Sequence, residues 1–165
     1  MKISNLKDLL VEQIKDLYSA EQLQLEFIPK LVEKISSISL KNTILQHKLD
    51  TEEQISRLEE VFQILGLDHN AEYSASMKGL IWNLRELIDN CESADVIDAA
   101  VIAGMQHIEH YEIVSYGNSA TYAQMVGQDE VATTLHSILK QEKSFDKRLT
   151  ELAIKKVNDD ANLVN

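Results

Sequence analysis

An all-α fold is predicted for this 165-residue chain by three observations. Apolar residues recur at spacings of three and four over long stretches, the period of a helix face. Glycine and proline number only 5 and 1, so helices have few places to break. No stretch alternates apolar and polar residues as a half-buried strand would. The length suits one domain burying about 70% of its unfolded surface. Residues 1–157 are expected to form that domain, and the polar segment 158–165 to fray.

The first helix starts around Ser4-Asn5, with Asp8 in its first turn, and carries Leu10, Ile14, Leu17, Glu21, Leu25 and Ile28 toward about Ile35. Pro29 falls inside it, removes one backbone donor, and is expected to bend the helix rather than end it. Ser36-Ser37-Ile38-Ser39 reads as a turn. The second helix runs from about Leu40 to Leu65, with Ile44, His47, Thr51, Gln54, Leu58, Val61 and Phe62 on one face. Gly66 suits its end, because glycine tolerates the left-handed closing conformation. A polar connection, 67–73, leads to a shorter helix over about Ser74–Asn90 that carries Met77, Ile81, Leu84 and Ile88.

The third long helix begins near Ser93, Asp95 or Asp98 and ends around Val126-Gly127, its alanines permitting close neighbours. The last runs from about Asp129 to Val157. Short connections set the first two and the last two long helices antiparallel. The roughly 27 residues between the second and third can carry the chain back along the bundle, at about 1.5 Å per helical residue. The predicted architecture is therefore a ferritin-like four-helix bundle with a long crossover containing an additional short helix.

Composition excludes several classes of function. The net charge is −11 and the pI about 4.8, so the basic footprint of a nucleic-acid or anionic-membrane binder is missing. The amino terminus lacks the apolar block of a signal peptide, and no window approaches 18 uninterrupted apolar residues. The cytoplasm is the expected compartment. Cys91 is the sole cysteine, which rules out an internal disulfide and a multi-cysteine zinc site. No Ser-His-Asp grouping is evident.

Acids interrupt the apolar faces: Glu21, Asp50, Glu109 and Glu142 stand where the repeat calls for leucine. A carboxylate in a helix core is costly unless a cation, a proton or a hydrogen bond compensates it. One such residue on each of four successive long helices suggests a shared occupant, a metal pair. Further candidates cluster with them. His47, Asp50, Thr51 and Gln54 lie at i, i+3, i+4 and i+7; Glu109 and Glu112 are three apart; Glu142 and Asp146 are four apart; His110 falls near the Ala103–Ile113 stripe. A hydrogen-bonded carboxyl cluster without metal is the competing reading. The Glu-x-x-His pair typical of di-iron bundles is absent, with Gln54 and Phe145 at the histidine-like positions.

Five segments carry a resemblance: DLYSAEQL (16–23), H-x-x-D-T-x-x-Q-x-x-R-L-E (47–59), MKGLI (77–81), Q-x-x-E-H-Y-E-I-x-x-Y-G (106–117) and QEKSFDKRLTELA (141–153). Together they resemble the YciF/YciE family of bacterial stress proteins, of the ferritin-like superfamily. The resemblance implies a ferritin-like homodimer with a di-metal centre of two iron or manganese ions. It leaves the activity open, with oxygen or peroxide handling as the expectation. Carried over residue by residue, it implies a metal site of Glu21, His47, Asp50, Gln54, Glu109, Glu112 and Glu142, with Asp146 and His110 at its margin. Asp50 stands where the family usually has glutamate, and Phe145 where a small polar residue is typical. The alternative is a metal-free interaction or structural protein whose polar core specifies the helix register, with partner contacts through Ile81, Trp82 and Leu84 of the short helix.

Overall fold

The computed structural model describes residues 2–69 and 73–163. Among them lie α1 (Leu6–Val32), α2 (Ile38–Leu65), α3 (Ala75–Asp89), α4 (Ala94–Met125) and α5 (Asp129–Leu152), with no strand. A π-helical turn, Ala153–Val157, then leads into α6 (Asn158–Asn162), so the chain stays helical where the sequence reads as a tail. Asn70, Ala71 and Glu72 of the polar connection, and residues 164–165 of the tail, lie outside the described residues.

Local signals set the helix ends. Asn5, rather than Ser4, caps α1 by accepting from the Asp8 amide at 2.9 Å, while the Ser4 amide and hydroxyl donate to the Asp8 carboxylate. The helix passes through Pro29 and stops at Val32, short of Ile35. Ser37 caps α2, which therefore starts within the segment expected to be turn. Gly66 closes it in the left-handed region (φ 67°), as expected. Ser74 and Ser93 cap α3 and α4 by accepting the Met77 and Val96 amides.

The four long helices form a closed ring: α1 packs on α2, α2 on α5, α5 on α4, and α4 on α1. Contacts rise along one helix as they fall along its neighbour: Tyr18–Glu59 then Gln24–His47, Asp50–Arg148 then Gln54–Glu142, Gln106–Thr150 then His110–Asp146, and Glu21–Tyr116 then Gln24–Glu112, so neighbours are antiparallel. The diagonal pair α2 and α4 then point the same way. The chain must travel the length of the ring between them, and α3 makes that journey while packed on α1 and α4. The short helix buries Met77, Ile81, Leu84 and Ile88, leaving Trp82 and Leu87 exposed. The expected Ile81–Trp82–Leu84 surface stripe is thus mostly interior. Asp98 ties the α1–α2 turn to the start of α4, accepting from the Ser36 amide (2.9 Å), the Ser36 hydroxyl (2.6 Å) and the Ser37 amide (2.7 Å).

All four long helices bury the same repeat. On α1 it is Leu10, Ile14, Leu17, Glu21, Gln24, Ile28 and Leu31; on α2, Leu40, Ile44, His47, Thr51, Gln54, Leu58 and Val61. On α4 it is Asp98, Ile102, Met105, Glu109, Glu112, Tyr116, Ser119 and Ala123; on α5, Val131, Leu135, Ile138, Glu142, Phe145 and Leu149. Alternating steps of three and four are the seven-residue period of helices packed at shallow angles. The apolar members separate into two clusters, one around Leu17, Phe62, Tyr116 and Leu135, the other around Ile28, Leu40, Met105 and Leu149. Between them the repeat turns polar on every helix.

Gly104 sets how closely α3 approaches α4. A β-carbon there would lie 2.8 Å from Leu84 Cγ and 3.0 Å from its Cβ, closer than packed side chains tolerate. Gly104→Ala should therefore destabilise by about 1–3 kcal/mol through overpacking. That corresponds to roughly 2–4 °C in Tm per kcal/mol for a domain of this size, measurable by thermal melting. Unchanged stability would mean that α3 is not seated this tightly.

Candidate metal centre

The polar layer is built by one pair of residues, three apart, from each long helix: Glu21 and Gln24, Thr51 and Gln54, Glu109 and Glu112, Glu142 and Phe145. His47, one turn before Thr51, joins them. All are essentially inaccessible to solvent. Four carboxyls thus occupy the middle of the ring, with apolar core on both sides.

Only part of their hydrogen-bonding capacity is used. Gln24 donates to Glu112 at 2.6 Å, Tyr116 donates to Glu21 at 2.5 Å, and Gln54 donates to Glu142. His47 Nε2 lies 3.3 Å from the Gln24 carbonyl and 3.4 Å from Glu109 Oε1. Phe145 lies against the imidazole. It stacks on the His47 ring, centroids 3.9 Å apart and planes 2° from parallel, and so fixes the direction of the imidazole nitrogens. Five carboxylate oxygens remain without a donor: one each on Glu21, Glu112 and Glu142, and both on Glu109. The Gln54 carbonyl is also unpartnered. Buried acceptors left in this state cost about 1–3 kcal/mol each, more when charged. They call for protons or a cation.

The acid–base balance points the same way. Burial pushes Glu21, Glu109 and Glu112 well above the usual carboxylate range, and the neighbouring acids push them further. Glu142 is raised to about 7, again chiefly by burial, while the neighbouring Glu109 and Gln54 side chains pull it down. Burial, and secondarily the charge of Arg148, lower His47 to about 3, so its imidazole is neutral and can offer a lone pair. Donor atoms of His47, Glu109 and Glu142 lie within 4.8 Å of one another, a group that could hold a metal ion. Oxygen-rich donors with one imidazole match the preferences of hard and borderline divalent cations.

Six of the nine residues expected at the site are in this layer: Glu21, His47, Gln54, Glu109, Glu112 and Glu142. The other three fall outside it. Asp50 sits beside the α2 stripe, its side chain 22% exposed, accepting from Gln46 and paired with Arg148 at 3.5 Å. Asp146 and His110 pair with each other at 3.4 Å on the outer face of α4 and α5, where the imidazole is 69% exposed. The expectation of one core carboxylate per helix is corrected accordingly. Helix α4 supplies two and α2 none, because the repeat His47–Thr51–Gln54 passes Asp50 by. Gln24 is the residue that sequence reasoning missed. The sequence reading placed Leu25 on the α1 face, whereas strict steps of four and three from Leu10 arrive at Glu21 and Gln24.

Comparison with known proteins agrees with this architecture. Residues 5–162 match the family model described as "Domain of unknown function (DUF892)". The chain is 36% identical over 162 residues to Protein YciF of Escherichia coli K12, covering 98% of each. It is similar in structure to the E. coli stress protein YciF, with a TM-score of 0.90 at 36% identity, covering 94% of this chain and 99% of that one. The structure of YcfI from Rhodopseudomonas palustris gives 0.88 at 32% identity, over 90% and 95% of the two chains.

A pH dependence of stability follows from the layer. Below about 4.5 the four glutamates are protonated whether folded or unfolded. As pH rises through their higher folded values (about 7 for Glu142), the unfolded chain releases protons that the folded chain keeps, and stability falls. His47 acts in the opposite sense between about 3 and 6.5, but one imidazole is outweighed by four carboxyls. In EDTA the Tm should drop from pH 5.5 to pH 8, and Glu142→Gln should lessen the drop. A Tm that rises over this range would contradict the assignment.

Proposed function

The chain belongs to the DUF892 family, and on that premise we propose that it is a stress-associated, ferritin-like four-helix bundle whose carboxylate layer holds a pair of iron or manganese ions. The five unpartnered carboxylate oxygens in a solvent-free layer carry this reading. Stress association rests on similarity to the stress protein YciF. A cytoplasmic homodimer is part of this proposal, carried by the family resemblance; among the described residues no helix is long and apolar enough to cross a membrane.

His47, Glu109 and Glu142 would hold the first ion, the neighbouring Glu21 and Glu112 would offer oxygens to a second, and Gln54, bonded to Glu142, would offer its free carbonyl. When bound, such ions supply Lewis-acid and one-electron redox chemistry suited to oxygen or peroxide. The protein's own part is to bind and orient. Phe145 holds the His47 ring in its plane, Gln24 steadies Glu112, and Tyr116 steadies Glu21. Metal and protons compete for the same oxygens, so loading releases protons from the glutamates. Two apolar clusters keep water from the layer.

A second reading, a metal-free structural or interaction protein, is favoured by one observation. The Glu-x-x-His pair is absent, and raised carboxyl values allow protons alone to neutralise the layer. The two readings diverge on metal content and on stability. Protein purified with Fe(II) or Mn(II) should retain about one or more metal equivalents per chain, and Glu109→Gln with Glu142→Gln should weaken retention at least about ten-fold. Added metal should also raise the Tm most at pH 8, reversing the fall seen in EDTA. Less than about half an equivalent, with a Tm indifferent to metal and chelator, would establish the proton-filled core instead.

A further inference from the structure

Outside the ring, α3 lies along α1 and leaves a groove between them. Two adjoining cavities, of about 490 and 310 Å³, share Phe27, Lys30 and Arg85 and so form one trough. Its floor is apolar, made by Leu23, Phe27 and Ile81, with Trp82 standing 60% exposed at its edge. Gly79 contributes no side chain, and a β-carbon built there meets nothing within 4 Å, so the trough is open at that point.

The rim is unusual for so acidic a chain. Lys30, Lys34, Lys78 and Arg85 all line the trough, against Glu26 and Asp89. Among the described residues none of the four cations has a carboxylate within ion-pair distance. Arg85 instead sits 5.2 Å over the Phe27 ring. In a protein of net charge −11, four unpaired cations around an apolar floor form a local positive field. A second copy docked by two-fold symmetry would set these cations against themselves, which disfavours self-association here. The volume is that of a small-molecule site, and a protein partner would need a broader face.

We propose that the α1–α3 groove binds a monomeric amphipathic organic anion, its apolar body on Phe27, Ile81 and Trp82 and its anionic head on Lys30, Lys78 and Arg85. Recognition requires both halves: a tail without the charge, or with a positive head, loses the rim.

Trp82 is the only tryptophan, so its fluorescence reports on the groove directly. The full chain titrated with dodecanoate, below the concentration at which it forms micelles, should give a saturable fluorescence change. Dodecyltrimethylammonium, with the same tail and a positive head, should bind at least about ten-fold more weakly. Gly79→Leu places a side chain on the trough's lining, where a β-carbon meets nothing within 4 Å, and should weaken dodecanoate binding at least as much with no loss of Tm, as should Lys30→Glu with Arg85→Glu. A response absent below micelle formation, equal for the two head groups, or unaltered in Gly79→Leu would overturn the assignment. The head-group comparison needs no variant, so it decides the matter even where the charge reversals fail to fold.

Discussion

A carboxyl group removed from water must give up its charge or meet an opposite one, and here four of them must do so together. Glu21, Glu109, Glu112 and Glu142 share one level of the ring, and Glu142 raises the proton affinity of the other three. Protons can satisfy the demand, but only by trading charge for neutral acids whose second oxygens still lack donors. A divalent cation satisfies several oxygens at once. On the proposed reading, the same residues form an acid-stabilised core with protons and a metal-stabilised core with a cation, and pH sets the balance between the two.

The rest of the molecule is organised to make that layer possible. Apolar clusters on either side exclude water and keep the helices in register, so the polar residues cannot escape to the surface by sliding along the axis. Gln24, Gln54, Tyr116 and Phe145 restrict the rotamers of the acids and of His47. Each does so from a different helix, so the layer is determined by the assembly rather than by any one segment. Buried polar groups of this kind favour one register over its alternatives, since a slipped helix would leave acids facing apolar neighbours.

Charge is distributed unevenly beyond the core. Acids dominate the chain, yet the α1–α3 face gathers four cations around an apolar trough. That segregation follows from the crossover. Helix α3 is too short to close the ring and packs as an outrigger through Met77, Ile81, Leu84 and Ile88, which leaves a seam along α1. The carboxylate layer and the groove are thus separate consequences of a single connectivity.

Much of this was legible along the chain. Scarce glycine and proline, three-and-four spacing, helix starts near Ser74 and Ser93, and Gly66 as a stop are all local signals, because a helix is bonded within its own segment; the Ser37 cap lies in a segment that reads as turn. The crossover followed from connection lengths. What the sequence could not decide was which of two adjacent residues turns inward. Asp50 and Thr51 differ by about 100° around α2, and Gln24 and Leu25 by the same angle on α1. The choice is made by the seven-residue packing period shared among all four helices. That period admits Thr51 and Gln24 and leaves Asp50, His110 and Asp146 at the rim. The chain by itself determined its helices and their order. Convergence of the acids on one level was decided only by packing, because burial belongs to neighbours from other helices and not to the residue that is buried.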